Sequence, residues 1–367
     1  MKRSLCTLLV AVLMVASLGG CSAAEQTSTG TTTTTTAATT TTPTTTPTTA
    51  PSVPNDEPNG LNYNPLTGVN DLEGGKNRPV AIMVPNDSAV IGYQMGLDKA
   101  DFYMECETEG AIPRIMAVFA NADRIPDTFG PIRSGRSPFV HTANAFGFLY
   151  VFSGATTHVD NYMASLKGFD FMEAGKYGSP TFWRDSYLGA QVNNWQNLVT
   201  GGDKLSARIK KHGFSTTQVK ELPFKFGKVS GTTVANTVKL KTTPSHTASF
   251  TYDETTGLYG KSIVRSSGTK PHVTLAGDQI TASNVLVLYA EKYVEYKNNK
   301  YTWVNFKTGT GSGYIVSGGT AREIKFNRTA TDITFTEADG KTPLTFAEGK
   351  TYMVLADKTL NTDISFS

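Results

Sequence analysis

The stretch "DFYMECETEGAIPRIMAVFA", Asp101 to Ala120, decides how this chain folds. It reads as two strands, "DFYMECE" (101–107) and "IPRIMAVFA" (112–120), turning around Gly110. Both runs are rich in apolar and aromatic residues, and a glycine separates them, as a strand–turn–strand unit requires. Side chains alternate between the faces of a strand, so Glu105, Glu107 and Glu109 share one face and Cys106 takes the other. Three like charges on one face need water, paired cations, or a hard cation such as calcium or magnesium. A solvent-facing edge, or a salt bridge from Glu109 to Arg114, is preferred here over a metal site. Cys106 is expected to pack as a small buried hydrophobe.

Outward from this unit the strands continue. "PVAIMVP" (79–85) is a short apolar run of the buried-strand kind, and "GFLYVFSG" (147–154) is another. Helices are signalled between and after them. Ser137 caps one with Pro138 at its first position, running to about Ala145. "THVDNYMASLKG" (157–168) opens on Thr157 and stops at Gly168. "DKLSARIKKHG" (203–213) starts on Asp203 and ends in basic residues and a glycine, as the helix dipole prefers. Residues 75–226 therefore read as a mixed α/β domain.

Beyond about Lys225 the helical period disappears. "YVEYKNNKYTWVNF" (293–306), "GYIVSGGTAREIKF" (313–326) and "DITFTEADGKTPLTF" (332–346) each alternate around a turn pair, and "TYMVLAD" (351–357) closes the series. Residues 227–245 read as a linker and 246–367 as an antiparallel β-rich domain, a barrel or a sandwich. The fold class is α+β.

The N-terminus carries an address. "MKRSLCTLLVAVLMVASLGGC" has a basic start, a short apolar core and small residues before Cys21. The apolar run is too short to span a bilayer and a processing site follows it, so residues 1–20 read as a signal peptide. Leu18-Gly19-Gly20-Cys21 resembles a bacterial lipobox, which predicts lipidation of Cys21 and anchoring on the extracytoplasmic face of the membrane. Residues 21–74 read as a Thr- and Pro-rich disordered tether, too polar to bury a core. Loss of the signal removes Lys2 and Arg3 and leaves 32 of the 34 basic residues against 31 acidic ones. That balance gives no reason to expect nucleic acid. Cys6 leaves with the signal and Cys21 is the anchor, so Cys106 remains alone and stability has to come from packing.

"GPIRSGRSP" (130–138) sets Arg133 and Arg136 in a Gly-, Pro- and Ser-rich loop that opens a helix. A helix start offers free N–H groups, and arginines add planar forked donors, so the loop reads as a cradle for a carboxylate or phosphate. Equally, both arginines can pair with acids of the domain and fix the loop. "SPTFWRDS" (179–186) places Arg184-Asp185 behind Phe182-Trp183, either a surface that stacks on sugars or a core plug with its own ion pair. The five histidines show no i, i+4 pair, and there is no HExxH or CxxC, so no zinc site and no other metal or cofactor is expected. "GTGSG" (309–313) lies between β patterns, which argues against a dinucleotide loop and for a bulge or tight turn.

Taken in order, "RPVAIMVPND", "GLDKADFYMECETEGAIPRIMAVF", "GPIRSGRSPFV", "FLYVFSG", "FWRD", "YDETTGLYGK", "NVLVLY", "GTGSGYIVSGGTAREIKF" and "GKTYMVLAD" resemble the YerB-like family of bacterial lipoproteins. The resemblance covers nearly everything after the tether. It implies two domains outside the cytoplasmic membrane of Gram-positive-type bacteria, and no established reaction. It also implies a shared site, since Glu109, Gly110, Arg114, Pro131, Arg133, Ser134, Arg136, Arg184 and Asp185 match positions its pattern emphasises, with Ser137 following in the same loop. After FWRD the family tends toward a basic residue and a Pro-His-Asn-type stretch, where this chain has "SYLGAQVNNWQNLVT". His272 is present, but Thr274 stands where an acid is expected. Both departures weaken a hydrolase reading. The expectation is a tethered, non-catalytic binding module for an anionic or glycan envelope ligand or a partner protein. The alternative is an enzyme on cell-wall polymers, with Arg133, Arg136 and Arg184 holding the substrate and Glu109 or Asp185 as acid or base.

Overall fold

The computed structural model describes residues 62–72, 76–295 and 301–367. The signal sequence, Cys21 and the Thr-rich tract lie outside them. Strands β1 (Val80–Pro85), β2 (Phe102–Glu107), β3 (Pro113–Phe119), β4 (Leu149–Phe152) and β5 (Phe171–Glu173) form where the apolar runs predict, β5 excepted, which was not foreseen. They make one side of an eleven-stranded sheet. Its order is 333–337, 320–328, 309–317, 284–290, 351–357, β2, β3, β1, β4, β5, with Thr233–Val234 added beside 320–328. The 101–120 hairpin is the seam. β3 pairs antiparallel with β2, and β2 pairs parallel with Thr351–Asp357, Phe102 facing Thr351 and Cys106 facing Leu355.

Alternation builds the two faces of this sheet. Val80, Ile82, Val84, Tyr103, Ile115 and Ala117 lie in one core, and Ala81, Met83, Phe102, Met104, Cys106 and Met116 in the other. A six-stranded sheet, with strands such as Thr237–Thr243, His246–Asp253 and Leu258–Arg265, packs through Val238, Leu240, Phe250 and Tyr259 on the first core. Helix Gly202–His212 adds Leu205 and Ile209 to that core. Helices α1 (Ser137–Phe146) and α2 (Thr157–Ser165) cover the opposite face through Phe139, Val140, Phe146, Val159 and Met163. Each such fully buried side chain contributes roughly 1.5–3 kcal/mol. Of the two forms left open for the β-rich half, face-to-face packing of sheets is the sandwich contact.

Five expectations need correction. The tether does not run to residue 74. Leu66 and Leu72 are buried in the second core, and Asn64 bonds to Asp71 and Asp101. The 227–245 segment is not a free linker, because Thr237–Thr243 is a strand of the six-stranded sheet. The Asp339-Gly340 turn leads to a single bridge, Thr336 to Pro343, and Thr345–Phe346 pairs instead with Lys225–Phe226. The closing strand Thr351–Asp357 is parallel to both neighbours, so the β-rich half is mixed rather than antiparallel throughout. Helix Gly202–His212 also starts one residue before Asp203. A Cβ on Gly201 or Gly202 would lie 2.2 Å from the carbonyl of Asp127 or Ile125, so only glycine lets this helix start approach that loop.

Candidate anion-binding cleft

The arginine loop is held by its backbone. Ile132 N–H donates to Leu198 O at 2.7 Å, Arg133 N–H to Met83 O at 2.8 Å, and Gly135 N–H to Gly154 O at 2.9 Å. A Cβ on Gly135 would stand 3.2 Å from both Phe152 and the Tyr150 hydroxyl, so the loop lies directly on β4. With the backbone pinned between β1, Leu198 and the turn after β4, the side chains of Arg133 and Arg136 join Arg114 of β3 in the lining of one cleft of about 520 Å³. Asn86, Asp87, Glu109, Trp195 and Tyr301 line it too.

Each guanidinium has a different partner. Arg136 Nε donates to Glu109 Oε1 at 2.5 Å. Arg114 Nη1 donates to the Ser134 carbonyl at 2.8 Å. Arg133 stacks on Trp195, 4.3 Å from the ring centre, and its Nε is buried without a hydrogen-bond partner among the described residues. Burial, with the charges of Arg136 and Arg133 beside it, lowers the pKa of Arg114 to about 9. Burial also lowers that of Arg133; Asp87 opposes the shift and Arg136 adds to it. The cluster is cationic, partly dehydrated and under mutual repulsion, a setting in which a carboxylate or phosphate gains most.

The three glutamates of the hairpin do not form a cluster. Glu105 pairs with Lys261 at 3.0 Å, Glu107 with Lys292 at 2.8 Å, and Glu109 with Arg136. Among the described residues no group of three or more His, Cys, Asp or Glu is placed to hold a metal. The expected Glu109–Arg114 bridge is replaced by Glu109–Arg136, because Arg114 is spent on the Ser134 carbonyl. Cys106 is fully buried, and burial pushes its thiol pKa up, as expected of a packed hydrophobe.

Four predicted residues stand outside the cleft lining: Ser134, whose carbonyl accepts from Arg114, and Ser137, Asp185 and Arg184. Ser137 is the first residue of α1, and its hydroxyl donates to Glu295 Oε2 at 2.6 Å. The anion at this helix start is thus the chain's own carboxylate, also held by Tyr293 and Trp303. Asp185 accepts the Leu188 N–H at 2.8 Å and caps the short helix Ser186–Gln191. Arg184 donates to Asn194 O at 2.7 Å and to Asn197 Oδ1 at 2.9 Å. It acts at one remove, because the 194–197 segment carries Trp195, and Gln196 from the same segment bonds Asp87 at 2.7 Å. Asn86, Asp87, Trp195 and Tyr301 were missed in the sequence. A tryptophan in the polar run "NNWQN" was the available signal for Trp195.

Residues 66–215 match the family described as "Protein of unknown function (DUF3048) N-terminal domain", and residues 237–353 match its C-terminal domain. The chain belongs to this family. The lining residues Asn86, Asp87, Glu109, Arg114, Arg133, Arg136 and Trp195 all fall in the N-terminal match. A Bacillus subtilis (strain 168) protein named "Putative lipoprotein YerB" is 30% identical over 155 residues. The aligned part is 42% of this chain and 44% of that protein, so it spans less than half of either. The crystal structure of YerB protein from Bacillus subtilis superposes with a TM-score of 0.69 at 23% identity, covering 83% of this chain and 99% of that one. That likeness establishes the fold, including the β-rich C-terminal part.

Proposed function

We propose that this DUF3048 protein is a non-catalytic binding module, anchored outside the cell membrane through lipidated Cys21, whose arginine cleft takes an anionic group of an envelope ligand. One observation carries the ligand reading. Three guanidinium groups converge on a cleft whose described lining holds two carboxylates, Asp87 and Glu109, and one arginine has a buried Nε with no partner among the described residues. The lipobox-like Leu18-Gly19-Gly20-Cys21 and the lipoprotein name of the Bacillus relative support the anchor. The carboxylates suggested for acid/base work already have partners, Glu109 with Arg136 inside the cleft and Asp185 with a helix start, which favours binding over catalysis.

Calorimetric titration with inorganic phosphate tests the ligand reading. Wild type should bind, and Arg133→Ala should bind at least about tenfold more weakly, the scale of one lost charge-assisted contact. Because no carboxylate among the described residues is bonded to Arg133, the variant should keep its thermal stability. Unchanged binding in Arg133→Ala, or a large fall in melting temperature with binding intact, would make the loop a structural clamp. Membrane fractionation of Cys21→Ala tests the anchor. The variant should leave the membrane fraction, and retention at the wild-type level would refute lipidation at this residue.

A further inference from the structure

Resting on the anion-binding reading above, we infer that Glu109 is a built-in competitor for the arginine cleft. It is a latch that the ligand's acid displaces from Arg136, and Thr243 and Ser245 of the C-terminal family domain hold it in place. Glu109 and Arg136 both line the cleft, and the carboxylate already takes the Nε–H that an incoming acid would take. The pair is uneven. The Arg136 side chain is 12% exposed and that of Glu109 is 33% exposed, so the carboxylate has a way out to water while the guanidinium stays in the cleft. Arg136 Nη1 also donates to the Gly135 carbonyl at 2.7 Å, so the arginine keeps its place when the carboxylate leaves. Molecules with Glu109 seated are closed to the ligand at Arg136, and the apparent affinity falls in proportion to the open fraction.

The backbone beneath the latch is unusual. Gly110 has φ +71°, and Ala111, with φ +58°, is the one non-glycine residue of positive φ among the described residues. Alanine keeps that conformation where its surroundings impose it, and such residues gather at clamps and switches. Here the imposing groups come from the other family domain. The hydroxyls of Thr243 and Ser245 donate to the Ala111 carbonyl at 2.7 and 2.9 Å. Both residues lie in the C-terminal match, whereas Glu109 lies in the N-terminal one. Thr108 closes the turn from the near side, its N–H and its hydroxyl each donating to the Ile112 carbonyl at 2.8 Å. The far anchor of the turn is thus the corner between strands Thr237–Thr243 and His246–Asp253. Loosening that corner lowers the effective concentration of the carboxylate at Arg136, so the C-terminal half sets how readily the cleft opens.

Calorimetric titration with inorganic phosphate tests the latch. Glu109→Gln should bind about fivefold tighter than wild type, the scale of one partly exposed ion pair. Glu109→Asp keeps the charge in the cleft but shortens the arm by one methylene, so it should bind tighter as well, whereas a pure charge effect would leave it at wild type. Thr243→Val nearly keeps the buried shape, and Ser245→Ala changes an exposed position that carries no risk to the core. Each should tighten binding about twofold when Glu109 is present and change nothing in a Glu109→Gln background, the coupling expected of groups that act through one another. If Glu109→Asp binds as wild type does, or Glu109→Gln binds more weakly, the carboxylate is a fixed wall of the site and the latch is wrong, while the anion cleft stands. If Thr243→Val and Ser245→Ala shift both backgrounds alike, the corner does not act through Glu109 and its part in the latch falls. If neither wild type nor Glu109→Gln binds phosphate, the anion-binding reading falls and the latch falls with it.

Discussion

Lys261→Met should destabilise the protein by about 3–5 kcal/mol at neutral pH, the scale for removing one partner of a buried ion pair. Lys261 and Glu105 are both 0% exposed and face each other across the contact between the two sheets. Tyr352 donates its hydroxyl to Glu105 Oε2 at 2.5 Å. An ammonium only donates, so the 3.1 Å contact of Lys261 with His272 makes Nδ1 the acceptor, and Nε2–H then donates to Gln94 Oε1 at 2.8 Å. Gln94 passes the chain on to the Pro85 carbonyl. Burial and the Lys261 charge accordingly drive the His272 pKa well below its usual value. Burial alone would raise the pKa of Glu105, but Lys261, with His246 and Tyr352, pulls it down to about 2. In wild type this depressed carboxyl contributes stability that is present above the ordinary glutamate range and is lost as pH falls toward 2. Without Lys261 the shift reverses sign, because burial then favours the protonated acid. The cost of Lys261→Met should therefore shrink as pH drops through about 4.5, and adding Glu105→Gln should recover much of it. Urea unfolding at pH 7 and pH 4.5 measures both. A cost below about 1 kcal/mol, or one independent of pH, would show that this pair does not hold the sheets together.

Part of that network was legible in the sequence. In "LYGKSIVR" (258–265) the residues Tyr259, Lys261 and Ile263 fall on one side of an alternating strand, and all three are buried. A lysine at an inward position between two apolar residues announces a buried partner, and alternation in β2 put Glu105 on one face with Tyr103. Nothing local says that these two faces meet. The strands β1 to β4, the helices α1 and α2, and Gly202–His212 were legible for the opposite reason, since each carries its own period and its own stop. The parallel pairing of Thr351–Asp357 with β2 was not, because a register between distant segments leaves no trace in either. The cleft divides in the same way. Arg133, Arg136, Arg114 and Glu109 were visible as polar residues in loops and at strand ends, and the structure brings them together. Asp185 looked similar but caps a helix start, a local demand that a single sequence does not distinguish from a ligand's demand, and the hydroxyl of Ser137 is taken up by the distant Glu295.

Gly313→Ala should lower stability by about 3 kcal/mol or more, at or above the usual upper end for overpacking. The "GTGSG" run is neither a nucleotide loop nor the turn expected of it. It is the first half of strand Gly309–Ser317, an interior strand of the large sheet, third from one edge. Gly313 pairs with Leu288 on one side and Ile324 on the other. A Cβ there would stand 1.8 Å from the Val287 carbonyl oxygen and 2.8 Å from its carbon. Both are backbone atoms, so no side-chain rotation relieves the clash. Val287 is fixed in turn by its pairing with Val354 of the closing strand, which lies beside β2. Room at Gly313 can come only by parting strands next to the seam that joins the two family domains. Gly227→Ala is the control, because its added Cβ would meet Thr345 Cγ2 at 3.4 Å, an ordinary contact. Thermal unfolding should show a large fall for Gly313→Ala and little change for Gly227→Ala. Hydrogen exchange should show lost protection extending from 284–290 through 351–357 into β2, because the sheet transmits the strain strand by strand. A Gly313→Ala protein that melts with wild type would mean that strands 309–317 and 284–290 can separate without cost. The shared sheet would then not be what couples the β-rich half to the cleft-bearing half.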